Sequence, residues 1–352
     1  MGLAVADQAG WDPQARAKAK VTFQALLGGI PGCKPARDQM SGFFAHFLHM
    51  DTGENWNSSE FSTIDTALLV VGALFAGKHF APKDREIAKL AMRLLNSIDW
   101  SVVVVPDGQG DINMVVKEGR GSKPLPPFTE YALVAYLAKI AEPDNEDLQK
   151  LWTEYWAPEA LFRLPQTDFR GLAVLTDRVA AQRGAFLSSF VHQFPFYLVP
   201  EYATSSIYQE YFRNACLADR LKWKELGDVP SYVWGYGAGS DEGLFGGYHV
   251  NRINDAEKSV ASAYIVAGFL PVYPGGIYDL YALYNLHLPY DLTENDKIRS
   301  AYRFGLHRYS WWHLGGPTEA YPKRVTLVDW SSMLYGLTAF KYGMSFFTER
   351  LP

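Results

Sequence analysis

The sequence predicts an all-α protein in which paired helices form a toroid (a double ring), with long loops and minor β pieces on one face. Strongly apolar helical segments alternate with amphipathic ones, and strand-like alternation is confined to short pieces such as residues 101–105. No Gly/Ser-rich or Pro-rich linker divides the 352 residues. Because a helix that is apolar on every face is buried and an amphipathic helix faces solvent, the alternation favours an inner and an outer ring. We therefore expect one domain over residues 1–352.

The predicted helices rest on local start and stop signals. Pro13 opens a helix over residues 15–27, and Gly28 closes it. The clearest helix is expected to begin at Asn57, which fits a capping box with Glu60, and its apolar part covers residues 61–76. Residues 42–56 are predicted to be irregular or extended, and residues 108–127 to form a loop. Further helices are predicted over residues 84–96, 129–140, 146–156, 202–223, 256–270, 278–286 and 328–347.

Charge and composition limit the classes of function. The formal net charge is −5, from 33 basic and 38 acidic residues, and no basic run marks a nucleic-acid binder. No apolar stretch approaches the roughly 20 residues that cross a bilayer, so we expect no membrane span. Aromatic residues make up 15% of the chain, with 10 Trp, 21 Tyr and 21 Phe. Such an excess is explained by a large core or by a groove that stacks sugar rings.

No sequence feature indicates a cofactor or a secretion signal. Cys33 and Cys216 have no metal-ligand spacing and define no disulfide framework, so we expect neither a metal nor an organic cofactor. The first residues lack the basic start and the apolar core of a signal peptide. Either the protein is cytoplasmic, or a leader has been removed, and both possibilities stay open.

One acidic residue stands out inside the clearest helix. The neighbours of Asp65 on the same helix face, three and four residues away, include Phe61 and Leu68. An acid in that position is buried or lies at the mouth of a cavity, and an unpaired buried acid is costly. A structural hydrogen bond would explain it equally well, but the poor helix propensity of Asp favours a functional role.

Three further acids lie where apolar helices are predicted to start. Each is explained separately by capping or by the helix dipole: Glu60, Glu130 and Asp329. If inner helices run parallel around a ring, however, their N-termini converge on one face. A cluster of carboxylates there suits glycoside hydrolysis, in which one acid protonates the leaving oxygen and another carboxylate activates water or attacks the sugar.

Aromatic and polar side chains suited to a sugar groove recur later in the chain. His192 and Gln193 lie within an aromatic run, and Trp234 and Asp241 lie in a Gly-rich segment, residues 232–241. Trp312 belongs to a third run, residues 309–313. Packing in a core explains each of them individually, and the glycines lack the Lys and Ser/Thr of a phosphate-binding loop.

Five blocks of the sequence share the pattern of one known family. Residues 42–77 read GFFAHFLHMDTGENWNSSEFSTIDTALLVVGALFAG, which closely resembles the first signature of the bacterial glycoamylase-like domain family. Residues 128–138, 191–194, 233–248 and 259–274 resemble later blocks of that family. Their order and spacing agree with the family from about residue 40 to residue 347.

The resemblance implies an (α/α)6 toroid that acts on a glucan. Characterised members hydrolyse β-1,2-glucan with inversion, internally or by releasing sophorose, and a related domain transglycosylates. By resemblance, Glu130 takes the place of the general acid and Asp329 that of the general base. The resemblance also implies a periplasmic or secreted protein. The expected substrate contacts are Glu60, Asp65, His192, Gln193, Trp234, Asp241, Tyr248 and Trp312.

Three hypotheses of function stay open at this point. The first is a hydrolase of a β-glucan, with β-1,2-glucan or its oligosaccharides as the expected substrate. The second is a transglycosylase, or a polysaccharide lyase with His192 and Tyr131 as candidate bases. The third is a glycan-binding protein without catalysis, because residues 196–200 and 329–331 depart from the family pattern. Oligomeric state and chain-length preference also stay open.

Overall fold

The computed structural model describes residues 1–227, 229–240, 247–254, 260–285, 308–310 and 326–352, without the side chains of residues 327–329. Helices predominate in these residues, and no strand among them exceeds six residues. The prediction of a mainly helical protein with minor β pieces is therefore confirmed. The chain divides into two compact units. Unit 1 comprises residues 1–164, 198–203 and 347–352, and unit 2 comprises residues 165–197 and 204–346.

The elements before residue 165 all belong to unit 1. Short 3-10 turns cover Trp56–Ser58, Trp100–Val103 and Pro158–Arg163, and a π-turn covers Trp152–Trp156. The helices and strands are α1 (Gly2–Gln8), α2 (Ala15–Leu26), β1 (Phe61–Ser62), α3 (Thr63–Phe80), α4 (Arg85–Leu95), β2 (Ile112–Lys117), β3 (Arg120–Leu125), α5 (Ala132–Ala141) and α6 (Glu146–Leu151).

The remaining elements belong mostly to unit 2. The small sheets pair β4 with β5, β6 with β7 and β8 with β9, each antiparallel. The elements are β4 (Gln166–Phe169), β5 (Leu172–Leu175), α7 (Arg178–Gln182), α8 (Phe190–Leu198), α9 (Pro200–Thr204), α10 (Ser206–Glu225), β6 (Ala238–Ser240), β7 (Tyr248–Val250), β8 (Val260–Ser262), α11 (Ala263–Gly268), α12 (Gly276–Tyr284), β9 (Arg308–Ser310), α13 (Leu327–Tyr342) and α14 (Ser345–Thr348).

The clearest predicted helix is confirmed, but it begins six residues later than the capping box indicates. Asn57 lies in a left-handed conformation with φ 52° inside a 3-10 turn, so it cannot cap a helix. The helix α3 begins at Thr63, and Ser62 caps it by accepting the amide of Asp65 at 3.3 Å. Phe61 and Ser62 are extended instead, because β1 pairs with β2, with Ser62 opposite Val115.

The apolar helix α3 forms the centre of unit 1. By length and composition it is long and apolar enough to cross a membrane, which the sequence analysis did not anticipate, and 61% of it is buried in the structure. The amphipathic helix α4 packs against it and buries Ile87, Leu90 and Leu94. The predicted pairing of a buried helix with a half-exposed one is therefore confirmed here.

The segment predicted as a loop, residues 108–127, contains a β-hairpin. Its strands β2 and β3 pair antiparallel, with Lys117 opposite Arg120. The buried Asp38 holds the turn by accepting the amides of Glu118 at 2.7 Å and of Gly119 at 3.1 Å. The composition hides these strands, because β1, which pairs with β2, and the carboxylate that fixes the turn are remote in sequence.

Residues 101–105, predicted as a short strand, form part of a 3-10 turn and a bridge. Other predicted helices are shorter than expected, and the segment 146–156 changes from α6 into a π-turn. The predicted helix 202–223 is interrupted at Ser205, whose hydroxyl accepts the amide of Tyr208 at 3.3 Å and caps α10. A serine side chain competes for backbone hydrogen bonds in this way. In the segment 256–270, the helix α11 follows the strand β8.

We expect Gly336→Ala to destabilise unit 2. The helices α11 and α13 pack together, and a methyl group on Gly336 would lie 1.8 Å from the carbonyl oxygen of Ala267. The two backbones would have to separate, at a cost of about 3 kcal/mol. The matched control is Gly72→Ala in α3, where the nearest heavy atom would be 3.8 Å away. Urea denaturation measures the free energy of unfolding of both variants. An unchanged midpoint for Gly336→Ala would contradict the close packing of the two helices.

Candidate active site

Three of the predicted site residues come together in unit 1. Glu60 precedes β1, Asp65 lies in the first turn of α3, and Glu130 lies two residues before α5. The charge of Asp65 acts on the carboxyl group of Glu130. Of the three acids expected to converge at helix starts, Glu60 and Glu130 both lie in this unit, and strand pairing as well as helix starts positions them. The convergence of Asp329 with them stays a prediction.

A small sheet sets the positions of the first two acids. Strand β1 lies beside β2 on one edge, and Phe61 bridges to Ala45 on the other. The amide of His46 donates to the carbonyl oxygen of Glu60 at 2.8 Å. Because β1 leads directly into α3, Glu60 and Asp65 flank the same short strand.

His46 links two of the carboxylates and is a residue that the sequence analysis missed. Its Nδ1 lies 3.3 Å from Oε1 of Glu60, and its Nε2 lies 3.7 Å from Oδ2 of Asp65. The ring stacks on Phe47, with ring centroids 4.0 Å apart and planes inclined by 16°. The available signal was the position of this histidine in the block GFFAHF, but nothing local indicates its acidic neighbours.

Glu60 and Glu130 have pKa values displaced in opposite directions. Hydrogen bonds from its own backbone amide and from His46 hold the pKa of Glu60 below its ordinary value. Burial raises the pKa of Glu130 to about 7, and the negative charge of Asp65 adds to this effect. A carboxyl group with that pKa is still substantially protonated near neutral pH. It can therefore donate a proton, as a general acid must.

The neighbouring tyrosine stays protonated. Tyr131 is 3% exposed, and burial raises the pKa of its hydroxyl far above the ordinary value. The charges of Glu130 and Asp65 act in the same direction. The phenol is therefore a poor base in this environment.

Three predicted substrate contacts are buried within unit 2. His192 is 1% exposed, and burial lowers its pKa to about 4. Gln193 is fully buried and donates from Nε2 to the carbonyl oxygen of Ile265 at 2.8 Å. Trp234 is 1% exposed, and its indole N–H donates to Oδ2 of Asp279 at 2.9 Å. Of the three, Gln193 positions the backbone of α11, and the contact of all three with a substrate stays a prediction.

The other predicted site residues are distributed as follows. Tyr248 lies on β7 with 54% of its surface exposed. Asp329 lies in the first turn of α13, without a described side chain. Asp241 and Trp312 lie outside the described residues. The structure thus brings together Glu60, Asp65 and Glu130, and the role of Asp329 stays a prediction.

The described part of the chain contains no group of three or more His, Cys, Asp or Glu side chains arranged to hold a metal ion. Both cysteines are free, and burial raises the pKa of the Cys216 thiol well above its ordinary value. A buried thiol with a raised pKa is a weak nucleophile. Among the described residues, the cluster around Glu130 is therefore the best candidate for acid–base chemistry.

Solved structures share the fold of this chain. The endo-β-1,2-glucanase from Chitinophaga pinensis, in complex with sophorotriose and glucose, aligns with a TM-score of 0.75 at 16% identity, over 98% of this chain and 81% of that one. A Bacteroides caccae protein described provisionally as a glucoamylase aligns with a TM-score of 0.75 at 19% identity, over 99% and 82%. For the β-1,2-glucanase from Parabacteroides distasonis, the TM-score is 0.71 at 12% identity, over 97% and 50%.

Sequence comparison gives no comparable match. No protein-family profile and no curated protein sequence matches the chain. The likeness to the solved structures at 12–19% identity therefore concerns the fold. At the level of the fold, the resemblance seen in the sequence blocks is confirmed. The chain shares its fold with these glucanases and glucoamylase-like proteins.

Proposed function

We propose that the protein is a glycoside hydrolase that cleaves a β-glucan, with β-1,2-glucan or its oligosaccharides as substrate, by an inverting acid/base mechanism. The observation that carries this proposal is the raised pKa of Glu130, about 7, beside the charge of Asp65. The shared fold with two β-1,2-glucanases supports the choice of substrate. The (α/α)6 toroid implied by the sequence blocks is part of the proposal.

In the proposed reaction, the protonated Glu130 donates its proton to the glycosidic oxygen as the bond from that oxygen to the anomeric carbon breaks. A water molecule attacks the anomeric carbon from the opposite face, and its proton passes to a carboxylate base. By sequence resemblance, Asp329 is that base. Glu60, which keeps its negative charge because of its lowered pKa, accepts hydrogen bonds from sugar hydroxyls.

The alternative of a polysaccharide lyase is less well supported. That reaction needs a base to remove a proton from the sugar, and the two candidates were His192 and Tyr131. The first is buried, and the second has a strongly raised pKa. A transglycosylase would use the same general acid but would transfer the sugar to another sugar instead of to water. Its products therefore distinguish it from a hydrolase.

A panel of glucans tests the proposal directly. We expect linear β-1,2-glucan to be cleaved, with products that carry the inverted anomeric configuration when they are followed by NMR during the reaction. Controls are β-1,3-, β-1,4- and α-1,4-linked glucans. Longer products would indicate transglycosylation, and products that absorb in the ultraviolet would indicate a lyase. Calorimetric binding without turnover would support a non-catalytic glycan-binding protein.

We expect Asp65→Asn to move the alkaline limb of the pH–rate profile to lower pH. The general acid must be protonated, so kcat/KM falls as the pH rises through the pKa of Glu130, about 7. The charge of Asp65 raises that pKa, and its removal makes Glu130 easier to ionise. The matched control is Glu60→Gln, which lowers activity but leaves the limb in place, because Glu60 is not among the charges that raise this pKa. An unmoved limb in Asp65→Asn would contradict the coupling.

A further inference from the structure

An open pocket with aromatic walls lies beside Glu60 in unit 1. It encloses about 440 Å³, and its lining consists of Phe47, Trp56, Asn57, Ser58, Ser59 and Glu60. This volume is within the range of small-molecule sites, about 300–1,000 Å³. Phe47 is 54% exposed and Trp56 is 50% exposed. Two large aromatic rings are thus exposed to water, although burying their apolar surface would be favourable.

The exposure of these rings is built into a closed turn rather than a loose loop. The amide of Trp56 donates to the carbonyl oxygen of Phe47 at 2.9 Å, so the two ring-bearing segments are joined directly. The hydroxyl of Ser59 accepts the amide of Phe47 at 3.0 Å and donates to Oδ1 of Asn55 at 2.9 Å. In return, Nδ2 of Asn55 donates to the carbonyl oxygen of Ser59 at 2.8 Å. The backbone that carries the two rings is therefore held in place before any ligand binds.

The backbone of the turn is unusual at two successive residues. Asn57 and Ser58 have φ values of 52° and 50°, a left-handed conformation that costs non-glycine residues about 1–3 kcal/mol. Such strain persists where the surrounding structure enforces it, and it is concentrated at ligand sites. Both residues belong to the lining of the pocket.

Glu60 joins this pocket to the acid cluster. Glu60 lines the pocket, and its carboxylate lies 3.3 Å from Nδ1 of His46, whose Nε2 lies 3.7 Å from Oδ2 of Asp65. The charge of Asp65 in turn acts on Glu130. A sugar chain whose scissile bond reaches Glu130 could therefore extend past Glu60 onto the two rings.

We propose that this pocket is a glucosyl subsite, an inference that rests on the proposed hydrolase function. One sugar ring stacks its apolar C–H face against Trp56, with Phe47 as a second wall. Its hydroxyl groups bond to the carboxylate of Glu60 and to the side chains of Asn57 and Ser58. The subsite makes longer oligosaccharides better substrates than short ones, because only they occupy it.

The test measures kcat/KM on linear β-1,2-gluco-oligosaccharides of increasing length, from the disaccharide upward. We expect Trp56→Ala to lower kcat/KM about tenfold for oligosaccharides long enough to fill the pocket, a loss of about 1.4 kcal/mol, and to leave shorter substrates unaffected. Trp56→Phe keeps a ring and should retain most of the activity, which guards against a folding defect. Trp11→Ala removes a tryptophan that is 71% exposed in unit 1 and should change nothing.

Two results would overturn the subsite: equal activity of wild type and Trp56→Ala at every length, or an equal loss at every length in a folded variant. A wild-type protein that cleaves no glucan would refute the proposed hydrolase instead. Calorimetry with the same oligosaccharides separates the two failures. Binding that requires Trp56 but gives no turnover supports the subsite and overturns the hydrolase, whereas the absence of both turnover and binding overturns both.

Discussion

Glu130→Gln is expected to lower kcat on unactivated glucan by at least about a hundredfold, the lower bound for the loss of a positioned general acid. The amide has nearly the same shape as the carboxyl group but cannot protonate the leaving oxygen. Initial rates on the best substrate of the panel measure the loss. The matched control is Glu154→Gln, an exposed glutamate of unit 1 that should leave the rate unchanged. Full activity of Glu130→Gln would refute the assignment.

A second substrate makes this test specific for acid catalysis. An aryl glycoside with a good leaving group needs little protonation of the departing oxygen, so Glu130→Gln should retain most of its rate on such a substrate. A merely structural defect would lower both rates equally. A selective loss on the natural linkage therefore separates a general acid from a residue that only supports the fold.

The stability of the same variant tests the buried carboxyl group independently. The pKa of Glu130 is raised from 4.5 to about 7 in the folded protein. Its contribution to stability is therefore fully present below pH 4.5 and is lost as the pH rises through 7. Above pH 7, Glu130→Gln should be more stable than wild type by at most about 3 kcal/mol. Denaturation on both sides of this pH window also shows that the variant folds.

The sequence predicts those helices best whose signals are local. Helix α4 was predicted within a residue of its bounds, because Asp84 caps it and an apolar stripe follows at helical spacing. The hairpin of β2 and β3 was missed, because its stability comes from pairing with β1, some 50 residues earlier, and from Asp38. The capping box at Asn57 failed for the same reason, since strand pairing keeps the following residues extended.

The candidate site could be predicted in part. Helix starts predicted that Glu60, Glu130 and Asp329 would converge, and family resemblance added Asp65 as a substrate contact. The contacts of His46 and the raised pKa of Glu130 could not be predicted, since both depend on which side chains the fold brings together and on how much water remains around them. The exposure of Trp56 is also a tertiary property, because an isolated tryptophan in a polar segment gives no indication of which face is open.

Asp219 is a second buried acid with a raised pKa, and its hydrogen bonds distinguish it from Glu130. It is fully buried on α10, and burial raises its pKa to about 6. Its carboxylate accepts the hydroxyl of Ser189 at 2.5 Å and the amides of Gly235 at 3.2 Å and Tyr236 at 2.9 Å. Among the described residues, the hydrogen-bond donor to the carboxyl group of Glu130 is its own backbone amide. The carboxylate of Asp219 thus has all its hydrogen bonds within the protein and has a structural role. The carboxyl group of Glu130, in contrast, has an oxygen that can bond to a substrate.

Asp219→Ala is therefore expected to destabilise unit 2 by about 4 kcal/mol, because the three donors lose the fully buried acceptor that they share. Asp219→Asn keeps the shape and one acceptor oxygen and should lose less. Glu210→Ala, an exposed acid on the same helix, should cost no more than about 0.5 kcal/mol. Urea denaturation measures the global effect, and amide hydrogen exchange at Gly235 and Tyr236 measures the local one. If Asp219→Ala lost less than 1 kcal/mol and both amides stayed protected, the Gly-rich segment would be held by other contacts, and the distinction between the two acids would fail.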